Sequence, residues 1–379
     1  MRRVFVSGLG AVSPAGWGVP ALRAALEAGE PLPAQPLERP GWDKPFRARL
    51  VPAPSPPPAF LAHPRFRRAS PLTHYTAAAA LEALGRASPD PARPPRVGFI
   101  VCLQSGCVQY SYRFYKEVLE DPSTASPILF PETVFAAPAS HLAALLGEVP
   151  LVHTLVGDPA VFLQGVALVV DWLMEGRVDL GLVVGAEEAN WLRADAIWHF
   201  DHDCISSAGA GCVCLGLDAA QSMGVQLDAL TDAQAYLSNR GRSQAARAMR
   251  QELPAGSADE LLCDGLQGVR RLDAPELAAW ADWPGPRLSP KRMLGEGLTA
   301  ASAWQCVAAC DALAGGVFKA ATLSLVGCNQ QAIGARFVRT DSPCGNEGPQ
   351  AAWEEERAGS APNRGKDAEP GRARPSHPN

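Results

Sequence analysis

The chain contains ten cysteines and seven histidines, side chains that often serve as nucleophiles and general bases. A thiol becomes a good nucleophile when a helix amino terminus or a neighbouring cation lowers its pKa. Cys102, Cys107 and Cys328 are candidate nucleophiles, but none of them follows a helix-start pattern or has an evident base. His141 and His153 stand among apolar residues, which is typical of core histidines rather than general bases. The pattern therefore gives little support to a thiol enzyme.

The pair Asp158-Pro159 stands directly before a long apolar run, Val161–Met174. Aspartate is a favoured helix N-cap, and proline is favoured at the first helical position because its missing N–H costs nothing there. The pattern therefore predicts a helix that begins at Pro159 and is capped by Asp158; a catalytic Asp158 is the alternative. Because the run is apolar on most faces, we expect this helix to be buried. The next run, Val178–Val184, predicts an interior strand that ends in a Gly-Ala-Glu turn at Glu187.

Length, composition and charge narrow the classes of protein to consider. A chain of 379 residues with 47% apolar side chains can bury a large core, as one two-lobed unit or as two domains. The net charge of −5 gives no basic field that would favour nucleic acid as a partner. No apolar run is long enough for a membrane helix and no signal peptide is evident, so we expect a cytoplasmic protein. Cys212 and Cys214 alternate along a predicted strand without a second metal-like pair, so we expect no metal site.

The first predicted strand, Arg3–Val12, contains Gly8-Leu9-Gly10, a spacing that occurs in dinucleotide sites. The third glycine of that fingerprint is absent, because Ser13 stands in its place. We therefore expect the glycines to be structural, with no bound nucleotide and no other cofactor.

The segment from Leu151 to Asn190 and the phrase around Gly8 resemble the β-ketoacyl synthases, which have the thiolase fold. Val184-Gly185-Ala186-Glu187 matches the Gly-Gly-Ala-Glu-like turn that ends the strand after that family's nucleophile helix. The resemblance implies an α/β fold with two pseudo-repeated halves in a layered αβαβα arrangement, expected at residues 1–220 and 221–339. Residues 340–379 have almost no aliphatic content, so we expect a disordered tail there.

The same resemblance puts the family's catalytic cysteine at Pro159, which carries no nucleophile. The family's two histidines, which stabilise the enolate or oxyanion formed when malonyl loses carbon dioxide, correspond to Asp264 and Glu296. A carboxylate repels a forming enolate, so both replacements oppose the usual chemistry. The family's lysine remains as Lys291, whereas its Gly-Phe-Gly-Gly-like loop is replaced by Leu325–Asn329. The resemblance therefore implies the fold of a condensing enzyme without a confident catalytic residue.

Three functions are compatible with this pattern. The first is a non-catalytic subunit similar to a chain-length factor, which pairs with an active ketosynthase and an acyl carrier protein in fatty-acid or polyketide-type biosynthesis. The second is an acyl-thioester enzyme of altered chemistry, and the third is a scaffold that binds carrier protein. In each case the resemblance implies a dimer, with a ketosynthase or with itself, formed through the strand and helix near Leu151–Val184.

Asp264 and Glu296 decide between the first two functions. They could form a buried acid pair in which like charges raise one pKa into a useful range for general-acid catalysis. Alternatively, they are carboxylates that drifted in after selection was lost, and that pair with Lys291 or Arg292.

Other patterns predict the elements around this site. Asn190–His202 is rich in aromatic residues and predicts irregular structure, whereas Arg240–Glu252 predicts an amphipathic helix with a solvated basic face. Glu260–Gly265 predicts a strand that ends in a turn, and Ala320–Phe337 predicts two closing strands.

Overall fold

The computed structural model describes residues 2–85, 87 and 94–340. The predicted disordered tail therefore lies outside the described residues, apart from Thr340, whose N–H donates to the carbonyl of Gly224 at 2.8 Å. Within the described residues, no helix combines the length and the hydropathy that crossing a membrane requires.

The strands, in chain order, are β1 (Val4–Ser13), β2 (Gly16–Trp17), β3 (Gln35–Leu37), β4 (Phe46–Arg49), β5 (Val97–Leu103), β6 (Leu151–Val156), β7 (Leu180–Glu187), β8 (Ser206–Ser207), β9 (Gly209–Gly216), β10 (Val225–Leu230), β11 (Gln234–Ala235), β12 (Glu260–Cys263), β13 (Arg287–Leu288), β14 (Ala320–Val326) and β15 (Gln331–Arg339). The helices are α1 (Val19–Ala28), α2 (Pro71–Gly85), α3 (Val108–Glu120), α4 (Ala137–Leu146), α5 (Val161–Met174), α6 (Trp191–Phe200), α7 (Asn239–Glu252), α8 (Arg270–Ala279), α9 (Pro290–Leu294) and α10 (Thr299–Ala314).

Most strands belong to one large mixed sheet, with the order β13-β12-β14-β15-β10-β1-β9-β7-β5-β6. In addition, β2 pairs with β1, β11 pairs with β15, and β3, β4 and β8 form a small second sheet. Strands β5, β6 and β7 are parallel, as are β12, β13 and β14. The antiparallel pairing of β1 with β10 joins these two parallel groups into one continuous sheet.

The two faces of the sheet pack against different helices, because successive residues of a strand point to opposite sides. In β5, Ile100 and Cys102 belong to a core cluster with α5 and α10, whereas Phe99 and Val101 belong to a cluster with α2 and α4. Helices α7 and α8 form a third cluster with Leu262 of β12 and with β14 and β15. The predicted layered α/β architecture is confirmed.

Helix α10 lies at the centre of the molecule. Its residues are almost all buried, because they are small or apolar on every face. Trp304 of α10 donates from its ring nitrogen to the carbonyls of Val12 and Ala210, each at 3.0 Å. The helix is thereby tied to β1 and β9 and fixes the position of the loop before Thr299, which contributes to the site described below.

The glycines of β1 lie where α2 crosses the strand. A Cβ atom at Gly8 would be 2.0 Å from the carbonyl oxygen of Ala83, and one at Gly10 would be 1.9 Å from that of Ala79. Both distances are far below a normal contact, so only glycine allows the backbone of α2 to pack this closely. The geometry agrees with a structural role for the Gly-x-Gly phrase.

Strand β6 forms one end of the large sheet and pairs with β5 alone among the described strands. Val152 is 37% exposed and Val156 is 51% exposed. These two valines lie on one face of a strand whose outer edge has backbone groups without a strand partner among the described residues, an arrangement that favours pairing with another chain.

Three predictions about individual residues and elements are wrong. Helix α5 begins at Val161 rather than at Pro159, because a tight turn of i to i−3 hydrogen bonds comes first. The stretch predicted as irregular contains α6, whose N-cap Asn190 accepts a hydrogen bond from the N–H of Arg193 at 3.0 Å. His153 is an exposed residue of the edge strand β6 rather than a core histidine, and its ring packs against that of Trp172.

Other predicted elements are confirmed. Helix α7 matches the amphipathic helix predicted over Arg240–Glu252 within one residue, and β12 matches the strand predicted from Glu260. The two closing strands are β14 and β15. Helix α8 was not predicted, because Pro275 and four charged residues interrupt its apolar pattern.

Candidate functional site

A cavity of about 230 Å³ lies at the carboxyl ends of β5, β12 and β14. Gln104 and Ser105 follow β5, Gly265 and Gln267 follow β12, and Cys328 lies in the loop after β14. Residues of α6 to α9 and of the loop before α10 complete the wall. The carboxyl ends of parallel strands are where open α/β sheets usually bind ligands, so we take this cavity as the candidate functional site.

Glu296 and Lys291 both line the cavity and neutralise each other. Lys291 Nζ lies 2.8 Å from Glu296 Oε2, and Glu296 Oε1 accepts the N–H of Leu298 at 2.7 Å. Both side chains are buried, so each charge depends on the other for the stabilisation that water would supply. A carboxylate held in this way is poorly suited to general-acid work.

Asp264 is buried and is not among the residues that line the cavity. Its Oδ1 accepts hydrogen bonds from the hydroxyl of Ser289 and the N–H of Leu266, while Oδ2 has no hydrogen-bond partner and lies 3.8 Å from Nη1 of Arg287. Burial raises the pKa of Asp264 to about 6, although the hydrogen bonds and Arg287 oppose the shift.

The acidic neighbours of Asp264 are Glu276 and Asp273 of α8 rather than Glu296. Burial, and then the charge of Asp264, raises the pKa of Glu276 to about 7. Glu276 Oε1 accepts the N–H of Gly265 at 3.0 Å, so Asp264 and Glu276 both hold the turn after β12. The geometry therefore disfavours the alternative of an acid pair between Asp264 and Glu296, and Glu296 pairs with Lys291, as the other account expects.

Asp158 binds the loop after β14. Its Oδ1 accepts the N–H of Ala160 at 3.1 Å, and its Oδ2 accepts the N–H groups of Gln330 at 3.0 Å and Gln331 at 3.3 Å. Burial raises the pKa of Asp158, and these N–H groups oppose the shift. Asp158 thus joins the turn before α5 to the loop after β14, which is a structural role.

Pro159 is buried beside Asp158 and does not line the cavity. The residue that the sequence analysis expects at the nucleophile position therefore has no reactive group and is not exposed to this space.

Arg193 of α6 is the residue that sequence reasoning missed most clearly. It is buried, lines the cavity, and donates to the carbonyls of Glu188, Ser207 and Glu296. The sequence did contain a signal for α6, because Asn190 is a favoured N-cap directly before an unbroken stretch without glycine or proline.

Arg242 of α7 fixes the opposite side of the cavity. Its Nε donates to the carbonyl of Gly327 at 2.9 Å and its Nη1 to that of Leu272 at 2.9 Å. The hydroxyl of Tyr236 donates to the same carbonyl of Gly327. Together with Asp158, these contacts hold the loop after β14 in one conformation.

Two thiols line the cavity, Cys204 and Cys328. Burial, and then the charge of Glu296, raises the pKa of Cys204, which sequence reasoning did not single out. Burial likewise raises the pKa of Cys328 to about 11, so both are neutral thiols near neutral pH. The other two candidates, Cys102 and Cys107, are buried outside the cavity, and burial raises the pKa of each.

The turn after β7 supports the cavity from behind. The carboxylate of Glu187 accepts the N–H groups of Gln104 and Ser105 and the hydroxyl of Thr299 at 3.2 Å. This turn therefore orients the loop after β5 with respect to the start of α10. His141 lies outside the cavity and binds Glu132 at 2.7 Å.

The arrangement offers little for catalysis. Its thiols are neutral, its lysine and glutamate are paired, and its arginines are bound to backbone carbonyls. Among the described residues, no group of His, Cys, Asp and Glu side chains is placed to hold a metal ion. The rest of the lining consists of neutral polar and apolar side chains.

Comparisons of the sequence with family models and with curated proteins give no match. Comparison with solved structures gives many. The ishigamide ketosynthase/chain length factor superposes with a TM-score of 0.69 at 17% identity, over 89% of this chain and 99% of that chain. A β-ketoacyl synthase from Burkholderia phymatum superposes with a TM-score of 0.73 at 17% identity, over 90% of this chain and 100% of that chain.

A third match is a type II PKS acyl-carrier protein in complex with its ketosynthase bound to the hexaketide, AntDE:AntF. Its TM-score is 0.72 at 15% identity, over 89% of this chain and 100% of that chain. Nearly the whole length of each of these proteins is matched, so the agreement in fold is not confined to one part of this chain. The chain therefore has the thiolase fold of the β-ketoacyl synthases.

Proposed function

We propose that this chain is a non-condensing subunit that pairs with an active ketosynthase and an acyl carrier protein, in the manner of a chain-length factor. The single observation that carries the proposal is Pro159. It stands two residues before α5, at the position where the sequence resemblance puts the nucleophile of the β-ketoacyl synthases, and it is buried. The fold is thus retained without the residue that forms the acyl-enzyme.

The rest of the site supports the same conclusion. Glu296, at one histidine position, is bound to Lys291, and Asp264, at the other, lies outside the cavity lining. Neither carboxylate is placed to stabilise a forming enolate, and each would repel one. The alternative acid chemistry of Asp264 with Glu296 is disfavoured, because each has a different partner.

The partner classes follow from the fold and from the edge of the sheet. One structural neighbour is described as a ketosynthase/chain length factor, and another contains an acyl-carrier protein with its ketosynthase. The exposed edge of β6 is suited to pairing with a second subunit of the same fold. A ketosynthase as that second subunit would supply the missing nucleophile.

The test is native mass spectrometry of this chain co-expressed with the ketosynthase encoded nearest to it, together with a malonyl decarboxylation assay. We expect a one-to-one complex, and decarboxylation that depends on the cysteine of the ketosynthase. A Pro159→Cys variant of this chain serves as a control, because a thiol alone does not replace the two histidines. Decarboxylation by the purified chain, or a homodimer that does not bind the ketosynthase, would contradict the proposal.

A further inference from the structure

The segment before α2 folds around one buried aromatic ring, that of Phe66. Phe66 is 1% exposed and lies in a short 3-10 turn, Pro64–Arg67. Three of the seven histidines surround this ring, since the ring centroids of His63, His74 and His141 lie 6.2, 6.2 and 5.9 Å from its centroid. Because histidine is the side chain that gains a charge as the pH falls from about 8 to about 5, the turn is a place where the protein can respond to pH.

The hydrogen bond of His63 requires the neutral form of its ring. His63 is the N-cap of the turn, and its Nδ1 accepts the N–H of Arg65 at 3.3 Å. A neutral imidazole has one nitrogen that accepts and one that donates, whereas the imidazolium ion only donates. Protonation of His63 therefore removes this hydrogen bond and leaves the N–H of Arg65 without its partner.

The other two histidines keep their hydrogen bonds when they are protonated. His74 Nε2 lies 2.8 Å from the carbonyl oxygen of Phe66, a contact in which the ring nitrogen donates in both charge states. His141 Nε2 lies 2.7 Å from Oε1 of Glu132, so a proton on His141 has a carboxylate beside it. Of the three histidines, only His63 makes a contact that a proton abolishes.

The cations around His63 also oppose a proton there. Arg65 and Arg67 belong to the same turn and Arg68 follows it, and all three side chains are exposed. None of the three is paired with a carboxylate among the described residues. The preceding turn, Ala59–Ala62, has no titratable side chain. Because water and salt screen exposed charges, this repulsion adds only modestly to the loss of the hydrogen bond, but it acts in the same direction.

The neighbouring elements supply no free carboxylate to offset such a proton. Helix α3 contributes Arg113, whose guanidinium lies 5.4 Å from the ring centroid of Tyr110. The hydroxyl of Tyr110 donates to the carbonyl of Arg68 at 3.0 Å, which places this fourth cation beside the turn. Glu132 is buried and already bound to His141 of α4. The surroundings of the turn therefore favour the neutral form of its capping histidine.

We propose that His63 is a pH-sensitive switch for the turn Pro64–Arg67: the neutral ring caps the turn and holds it in place, and protonation releases it. Below neutral pH the turn and its exposed arginines become mobile, whereas α2 and the sheet keep their contacts. The inference goes beyond the proposed subunit role and does not depend on it, because neither His63 nor the turn lines the cavity.

The test is hydrogen–deuterium exchange of the full chain, measured by mass spectrometry at about pH 5.5 and about pH 7.5, on either side of the usual titration of histidine. The rates are corrected for the intrinsic pH dependence of amide exchange. We expect the amides of residues 65–68 to exchange at least about threefold faster at the lower pH, because one hydrogen bond of ordinary strength is lost. Equal corrected rates, or slower exchange at the lower pH, would overturn the proposal.

His63→Asn separates this switch from other effects of pH. Asparagine is a favoured N-cap whose side-chain oxygen accepts the N–H of Arg65 in the same way at both pH values, so exchange in the turn should no longer depend on pH. His199→Asn is the matched control, since His199 is also exposed but lies in α6, and it should respond as the unmodified chain does. A pH response that persists in His63→Asn, or that is lost in His199→Asn, would overturn the assignment to His63.

Discussion

At the scale of single residues, the site contains carboxylates with three different functions. Glu296 neutralises a lysine, Asp158 binds the N–H groups of a loop, and Asp264 is buried beside a second acid, Glu276. Because all three side chains are carboxylates, the environment of each one decides its function. Asp264 is the least stabilised of them, because one of its oxygens has no hydrogen-bond partner.

This environment leads to a prediction about stability and pH. The folded pKa values of Asp264 and Glu276, about 6 and about 7, lie above their ordinary values. The folded state therefore binds more protons than the unfolded state between about pH 4 and about pH 7, so the free energy of unfolding falls as the pH rises through this window. Asp264→Asn removes one of the two titrating groups and its repulsion of the other.

We expect the loss of stability between about pH 5 and about pH 8 to be smaller in Asp264→Asn than in the unmodified chain, by about 1–2 kcal/mol. The free energy of unfolding of both chains is measured by urea unfolding at a series of pH values. Asp203→Asn, which changes an exposed carboxylate, is the control and should follow the unmodified chain. Identical pH profiles for Asp264→Asn and the unmodified chain would rule out this account of the buried pair.

At the scale of elements, the site depends on how closely helices approach the sheet. Helix α2 packs on β1 at Gly8 and Gly10, and α10 is held to β1 and β9 by Trp304. These contacts place the start of α10, and with it Leu298, at the cavity. Changes in helix packing should therefore act on the site as well as on stability.

The glycines of β1 allow a direct test of this packing. Gly10→Ala puts a Cβ atom 1.9 Å from the carbonyl oxygen of Ala79, so either β1 or α2 has to move. We expect a loss of about 3 kcal/mol or more in the free energy of unfolding, or failure to fold, as for other overpacked cores. The measurement is soluble yield followed by thermal unfolding.

Gly85→Ala is the matched control. Gly85 ends α2, and a Cβ atom there would meet no atom within 4 Å. This substitution should be neutral or slightly stabilising, because alanine favours the helix. A Gly10→Ala variant as stable as Gly85→Ala would show that α2 does not need the close approach.

At the scale of the whole molecule, the exposed edge of β6 is the feature that links the fold to the proposed pairing. Val152 and Val156 are exposed on one face of the strand, and its outer edge has no strand partner among the described residues. Charged side chains on such an edge oppose pairing. The edge therefore predicts which surface substitutions separate the subunits.

Val156→Lys should weaken the dimer, with a ketosynthase or with itself, by about tenfold or more, because it puts a charge into an apolar interface. Val317→Lys is the control, since Val317 is similarly exposed, at 43%, but lies in the turn between α10 and β14. Sedimentation velocity over a concentration series measures both. If both variants dissociate to the same extent, or neither does, the interface lies elsewhere.

The sequence by itself determined the order of most elements around the site, and it led to the expectation that the family's catalytic residues are replaced. The apolar run of α5, the strand after it and the Gly-x-Gly phrase are local patterns, and local patterns are set by neighbours along the chain. The replacement at Pro159 could be read for the same reason. Helix α6 was missed because its aromatic residues obscured a capping signal that was present.

Only the tertiary structure decided which side chains meet. Glu276 is a neighbour of Asp264, and Arg193 and Cys204 line the cavity with Glu296, although they come from separate loops and helices. The physical reason is that pairing depends on where elements far apart in the chain end after packing, and on which charges burial forces together. A five-residue separation in the sequence puts Lys291 near Glu296, but only the fold showed that the two side chains are buried and paired.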